Sequence, residues 1–131
     1  KIIWAGQRRD LPDIHSALDI ATLTSAYGEG FPNTIGEAMS CEVPCVGTNV
    51  GDTAKVIGNT GYVTQIGDAC AIVDSWPRIL SETPAEQSAR RKRSRQYIEE
   101  NFSLETMIEA HIQLYNQLCD NTNANKPSSR A

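Results

Sequence analysis

The sequence has little of what marks a membrane, secreted or metal-built protein. No stretch approaches the roughly 18 consecutive apolar residues of a membrane span. Nothing at its start reads as a charged segment followed by a secretory core. Of 131 residues, four are cysteine and two histidine. Only Cys41-x3-Cys45 comes near a zinc-ligand spacing. With Val43 and Pro44 inside it, this pair reads as a turn into a strand, and its cysteines read better as small buried hydrophobes than as ligands. His15 and His111 lack a suitably spaced Cys, Ser or second His, so each is expected as a satisfied or exposed surface group. An excess of positive charge is also missing. The 12 basic and 16 acidic residues leave a net charge of −4, which argues against bulk nucleic-acid binding. No metal is expected, and a cytoplasmic location is.

What is present is enough for one globular domain. A chain of this length hides about two-thirds of its unfolded surface, sufficient for a core without staples. It opens at Lys1, without Met, directly into Ile2-Ile3-Trp4-Ala5-Gly6, which reads as the interior of a buried strand. The expectation is a piece of a larger protein.

Along the chain, strand-like and helix-like stretches alternate. Strands are predicted at Ile2–Ala5, Ile20–Ser25, Pro44–Thr48 and Gly61–Thr64, and helices at about Asp13–Leu18, Asn33–Ser40 and Gly51–Ile57. That order makes βα units and a parallel sheet covered on both faces. The remainder is helical. Asp68 caps a helix that Pro77 interrupts or kinks, Pro84 opens a run over Ala85–Asn101, and Ser103 caps a last helix. In that helix Leu104, Met107, Ile108, Ile112, Tyr115 and Leu118 recur at three-to-four spacing. The domain is expected over 1–120, and residues 121–131 as a disordered tail.

The segment that carries chemistry is Glu29-Gly30-Phe31-Pro32-Asn33-Thr34-Ile35-Gly36-Glu37-Ala38-Met39. It follows a predicted strand and opens a predicted helix, at the carboxyl edge of a parallel sheet where ligands of such folds bind. A glycine lets backbone approach a ligand closely, and a fresh helix N-terminus offers amides and partial positive charge to phosphate. Two carboxylates in such a place suit sugar hydroxyls, since a vicinal diol offers two donors to one carboxylate. The plain alternative carries about equal weight. Thr34-x-x-Glu37 matches a capping box, and Glu29 then reads as a solvated loop acid.

With Glu29 and Glu37 separated by seven residues, the segment resembles the E-x7-E signature of retaining, GT-B fold glycosyltransferases of family 4. I-W-A-G-Q-R-R-D-L-P, C-E-V-P-C-V-G-T-N-V-G-D and N-T-G-Y-V-T-Q-I-G-D are similar to further blocks of that family in the same order, so the likeness covers roughly Ile2–Leu118. It implies the carboxy-terminal, donor-binding domain of a Rossmann-like GT-B enzyme, incomplete on its amino-terminal side. It also implies transfer of a sugar, with retention of configuration, from a nucleotide-diphosphate donor in polysaccharide or glycolipid synthesis, with no cofactor; UDP is preferred only from the general frequency of such donors. Glu37 would bind both ribose hydroxyls. Glu29, at the catalytic position, would hold hydroxyls of the donor sugar. The backbone of Gly30, Phe31, Pro32, Asn33, Thr34 and Ile35 would line sugar and diphosphate, Pro32 giving no donor, and Gln7 and Arg8 would lie along the base. Family members carry a second glycine and then a Glu where this chain has Gly51–Lys55. Their diphosphate-neutralising Arg/Lys pair and the acceptor domain lie upstream of Lys1. The likeness therefore implies a piece that does not transfer by itself and whose uncovered sheet edge invites self-association. The alternative reading is a non-catalytic nucleotide-sugar-binding or regulatory module.

One local run stands apart. Arg90-Arg91-Lys92-Arg93-Ser94-Arg95 gathers five of the twelve basic residues. It reads as a solvated helix face with Glu86, Glu99 and Glu100 nearby, in preference to a nucleic-acid patch, because no aromatics interleave it. A weaker version of the sharp reading is peripheral contact with an anionic inner membrane face.

Overall fold

In chain order the elements are α1 (Leu11–Ser16), β1 (Ala21–Leu23), α2 (Asn33–Ser40), β2 (Cys45–Thr48), α3 (Thr53–Ile57), β3 (Tyr62–Thr64), α4 (Ala69–Leu80), α5 (Pro84–Phe102) and α6 (Leu104–Ala124). This is a computed structural model, and it describes residues 1–124. The chain divides into two compact units, Lys1–Glu99 and Glu100 onward.

In the first unit the strands form one parallel sheet in the order β1-β2-β3, with Ala21 opposite Cys45 and Val46 opposite Tyr62. The central strand β2 is buried along its length, as a parallel strand covered on both faces must be. Its side chains alternate between the two layers. Gly47 meets Thr53 and Ile57 of α3, and the Cys45 thiol reaches the carbonyls of Ile35 and Val43. Val46, by contrast, clusters with Ile72 and Ile79 of α4. Ile35, Ala38 and Met39 of α2, with Val43, Val56 and Ile57, complete the core on the α2–α3 side. The expected α/β class and the alternation of strands and helices are both present.

The sheet has three strands, and the predicted first one is absent. Ile2–Ala5 joins no ladder, and Ile2, Ile3 and Trp4 are 81, 75 and 92% exposed. An apolar β-branched run becomes a strand only when a neighbour takes its backbone groups. Both sides of β2 are already occupied, and among the described residues neither β1 nor β3 pairs with this segment.

Pro77 lies inside α4 and does not divide it. It removes one helical bond, while Ile72 and Ile79 remain buried on either side and the Trp76 indole donates to Thr22 Oγ1 of β1 at 3.1 Å. Asp68 caps this helix as expected, accepting from the Ala71 amide at 2.8 Å. Thr83 and Glu86 form a capping box that opens α5. The Thr83 amide donates to Glu86 at 2.8 Å, and the Glu86 amide returns a longer bond to Thr83 Oγ1. The Thr83 hydroxyl also donates to Glu86 Oε2 at 2.7 Å, and this bond, with the one from the Thr83 amide, holds the Glu86 carboxyl below the usual range.

In the second unit Ser103 caps α6, accepting from the Thr106 amide at 3.2 Å, while the Thr106 hydroxyl pairs with its own. Leu104, Met107, Ile108, Ile112, Leu114 and Tyr115 of α6 are exposed. The helix runs to Ala124, past the expected end at residue 120, and the rest of the expected tail lies outside the described residues.

Candidate functional site

Loops leaving the carboxyl ends of β1 and β2 meet at one edge of the sheet. Thr48, the last residue of β2, donates its hydroxyl to the Ser25 carbonyl at 2.5 Å, and the Asp52 amide donates to the Gly30 carbonyl at 3.0 Å. Between these contacts Gly51 sits at φ +53, pressed so close that a Cβ there would lie 2.1 Å from the Glu29 carbonyl oxygen. Only glycine allows both the conformation and the approach. The backbone of Glu29 and Gly30 is therefore held by the loop that follows β2. The Glu29 side chain is held as well, because Ser25 Oγ donates to its Oε1 at 2.6 Å in a part-buried setting. Glu29 is not a solvated loop acid.

The other carboxylate is released by a proline. Pro32 is the fully buried N-cap of α2, and its carbonyl accepts from the amides of Ile35 and Gly36 at 3.0 and 3.2 Å. Proline has no side-chain acceptor, so no side chain caps this end. Thr34 already lies inside the helix, and the capping box of Thr34 with Glu37 does not form. The first amides of α2, those of Asn33 and Thr34, precede its first helical bonds and carry the positive end of the helix. Asn33 and Thr34 are exposed, Ile35 is fully buried, and the Phe31 ring packs over Gly36. At Gly30 the fold demands nothing, since a Cβ there would meet no atom within 4 Å.

Glu37 extends from the first turns of α2, its side chain 52% exposed, with Oε2 at 3.6 Å from Nε2 of His15 on α1. His15 is no surface group. It is buried, and its Nδ1 has no hydrogen-bond partner among the described residues. Gln7 and Arg8 lie on the exposed segment before α1. Arg8 is turned to its own loop, its Nε donating to Asp10 at 2.8 Å, a contact that raises the guanidinium pKa and lowers that of Asp10. The structure thus places Glu29 through Glu37 at the carboxyl edge of the sheet and leaves Gln7 and Arg8 in the exposed segment before α1. Among the described residues no three His, Cys, Asp or Glu are grouped to hold a metal ion.

The basic run belongs to the fold. Arg90 pairs with Glu82, Nε to Oε1 at 2.8 Å, donates to the Thr60 carbonyl at 3.0 Å, and lies over the Tyr62 ring. Glu82 raises its pKa further. Arg91 and Arg95 donate to the carbonyls of Glu42 and Ser40, at 3.4 and 3.3 Å. Those carbonyls lie at the C-terminal end of α2, where cations are favoured. One helix is therefore tethered by arginines at its negative end and offers open amides at its positive end.

The family described as glycosyl transferases group 1 matches this chain over residues 1–82, and the chain belongs to that family. Similar proteins include N-acetyl-alpha-D-glucosaminyl L-malate synthase of Bacillus anthracis, 28% identical over 88% of this chain and 30% of that protein. The lipopolysaccharide core biosynthesis mannosyltransferase LpsB of Rhizobium meliloti is 28% identical over 90% of this chain and 34% of its own length. Among solved structures, sucrose-phosphate synthase from Thermosynechococcus elongatus matches with a TM-score of 0.70 and 29% identity, over 82% of this chain and 27% of that one. A glycosyltransferase from Rickettsia africae matches in fold, with a TM-score of 0.77 at 23% identity over 88% and 31% of the two chains. The chain spans about a third of the curated relatives it matches. The parallel sheet with its following helices is the GT-B type of arrangement expected from sequence. No helix of the described residues is long and apolar enough to cross a membrane.

Proposed function

We propose that this chain holds the donor in a glycosyltransferase that moves a sugar from a nucleoside-diphosphate sugar to an acceptor with retention of configuration. The observation that carries the proposal is a helix N-terminus with two carboxylates beside it, neither of which it uses as a cap. The amides of Asn33 and Thr34 suit the diphosphate. Glu37, on the outward face of α2, suits the two ribose hydroxyls, and Glu29 suits the sugar, since Ser25 fixes one carboxylate oxygen and leaves the other to accept. In this reading Gly30 and Phe31 bring backbone against the sugar, and Gln7 and Arg8 lie along the base. Glu29 positions the sugar rather than attacking it. The acceptor is bound by a domain outside this chain, so the chain alone does not transfer.

Titration of the full-length protein with UDP-, GDP- and ADP-sugars tests this reading. Glu29→Gln is expected to keep nucleoside-diphosphate affinity and to lose the added affinity that the sugar confers, together with transfer. A Glu29→Gln protein that binds and transfers like wild type contradicts it. Sugar-nucleotide binding without transfer, in a protein that has its acceptor domain, would make this a binding module.

A further inference from the structure

We infer that His15 is a positioning residue for Glu37, its buried imidazole fixing where that carboxylate stands when it meets the two ribose hydroxyls. The inference rests on the reading of Glu37 as the ribose ligand and goes beyond it, because it assigns a role to a residue on a different element with no place in the donor loop.

Three observations converge on it. First, His15 is 6% exposed, and Nε2 stands 3.6 Å from Glu37 Oε2 across the junction of α1 and α2. That distance is longer than a hydrogen bond and short enough for a direct charge or dipole contact. Second, Nδ1 is buried and has no partner among the described residues. A buried unpaired ring nitrogen costs folding free energy that an apolar side chain of similar size would not. The imidazole is therefore a poor choice for packing, and Glu37 is the polar group its ring approaches. Third, Glu37 has no hold within its own helix, because the capping box with Thr34 does not form and the N-cap is a proline. A half-exposed glutamate on a helix samples several rotamers, and only some turn a carboxylate edge to a diol. With Oε2 drawn toward His15, the remaining lone pairs of the carboxylate stay open to two hydroxyl donors.

The discriminating quantity is the ratio of affinities for a ribonucleoside diphosphate and its 2′-deoxy counterpart, measured by titration of the full-length protein. His15→Leu is expected to reduce that ratio about fivefold while melting at the same temperature as wild type or higher, since the unpaired nitrogen is gone. His15→Gln, whose amide nitrogen can stand near the position of Nε2, is expected to restore most of the ratio. His15→Asn, too short to reach, is not. In a Glu37→Gln background His15→Leu is expected to change the ratio no further. Equal loss of affinity for both nucleotides would assign His15 a packing role and overturn the inference, as would an unchanged ratio in His15→Leu beside a reduced one in Glu37→Gln. If His15→Leu fails to fold, the Gln and Asn variants decide. An unchanged ratio in Glu37→Gln itself would overturn the ribose reading and this inference together.

Discussion

Glu29 and Glu37 leave the same short stretch of chain and are held by opposite means. Ser25 fastens Glu29 from the end of β1, and Thr48 fastens Ser25 in turn, whereas Glu37 is let go by its own helix and approached from α1. Ser25→Ala removes a short hydrogen bond to a carboxylate, an effect of about 1.5–2 kcal/mol. It is expected to reduce the sugar-dependent part of donor affinity about tenfold and to leave nucleoside-diphosphate affinity in place, as calorimetry would show. Gly30 makes the complementary case. Its Cβ position is empty in the protein, so Gly30→Ala should melt like wild type and yet bind donor more weakly, because the methyl group occupies the space of the ligand. Equal affinity in that variant would remove Gly30 from the site. Burial pushes the Cys45 thiol up to about 12 from its ordinary 9.0. At pH 8 it stays protonated, so an alkylating reagent followed by mass spectrometry should label the exposed Cys70 and spare Cys45. The sign for stability follows. The unfolded thiol ionises near pH 9 and the folded one does not, so stability is whole below pH 9 and falls as the pH rises toward 12. At this scale spacing and strand–turn–helix context single out the two glutamates but leave a capping box as an equal alternative, and their roles come from the family resemblance. Ser25 and His15 as their partners were not legible, because both contacts depend on how side chains meet once the chain has folded, and His15 lies on a separate element.

Among the elements, α2 has the bounds its sequence predicts, since Pro32 caps its start and the helix ends at Ser40 before the Cys41–Glu42 turn. The Thr34-x-x-Glu37 pattern misled within those same bounds. The motif carries information only when its Thr is the cap, and here Pro32 is. The first strand misled for a different reason, as apolar composition announces burial without supplying the neighbour that completes a ladder. The basic run of α5 reads from sequence as a solvated face beside Glu86, Glu99 and Glu100, and that holds for the exposed Lys92 and Arg93 and for the Arg95–Glu99 pair, while the other contacts tie it to the fold. Arg91 and Arg95 reach the end of α2, and Arg90 reaches Glu82 and Thr60. Replacing Arg90 by Ala leaves the largely buried Glu82 carboxylate without its partner and is expected to cost about 2–3 kcal/mol in chemical denaturation. Lys92→Ala, on the solvent face of the same helix, should fall within about 0.5 kcal/mol of wild type. If the two substitutions cost the same, the run is no tether.

In the first unit a three-stranded parallel sheet carries at its carboxyl edge the Glu29–Pro32 loop and the N-terminus of α2, with α4 packed against β2 and β3 and arginines of α5 at the other end of α2. The chain belongs to a family whose similar members are about three times its length, and the donor half of the proposed reaction is the half its residues can account for. The central claim is that the diphosphate meets the amides of α2 while the ribose meets Glu37. Titration with a ribonucleoside diphosphate and its 2′-deoxy counterpart, in wild type and in Glu37→Gln, tests it most directly. Wild type should favour the ribonucleotide by about tenfold or more, the worth of one charge-assisted hydrogen bond, and Glu37→Gln should lose most of that preference while binding the deoxynucleotide as wild type does. An unaltered preference in Glu37→Gln would contradict the account.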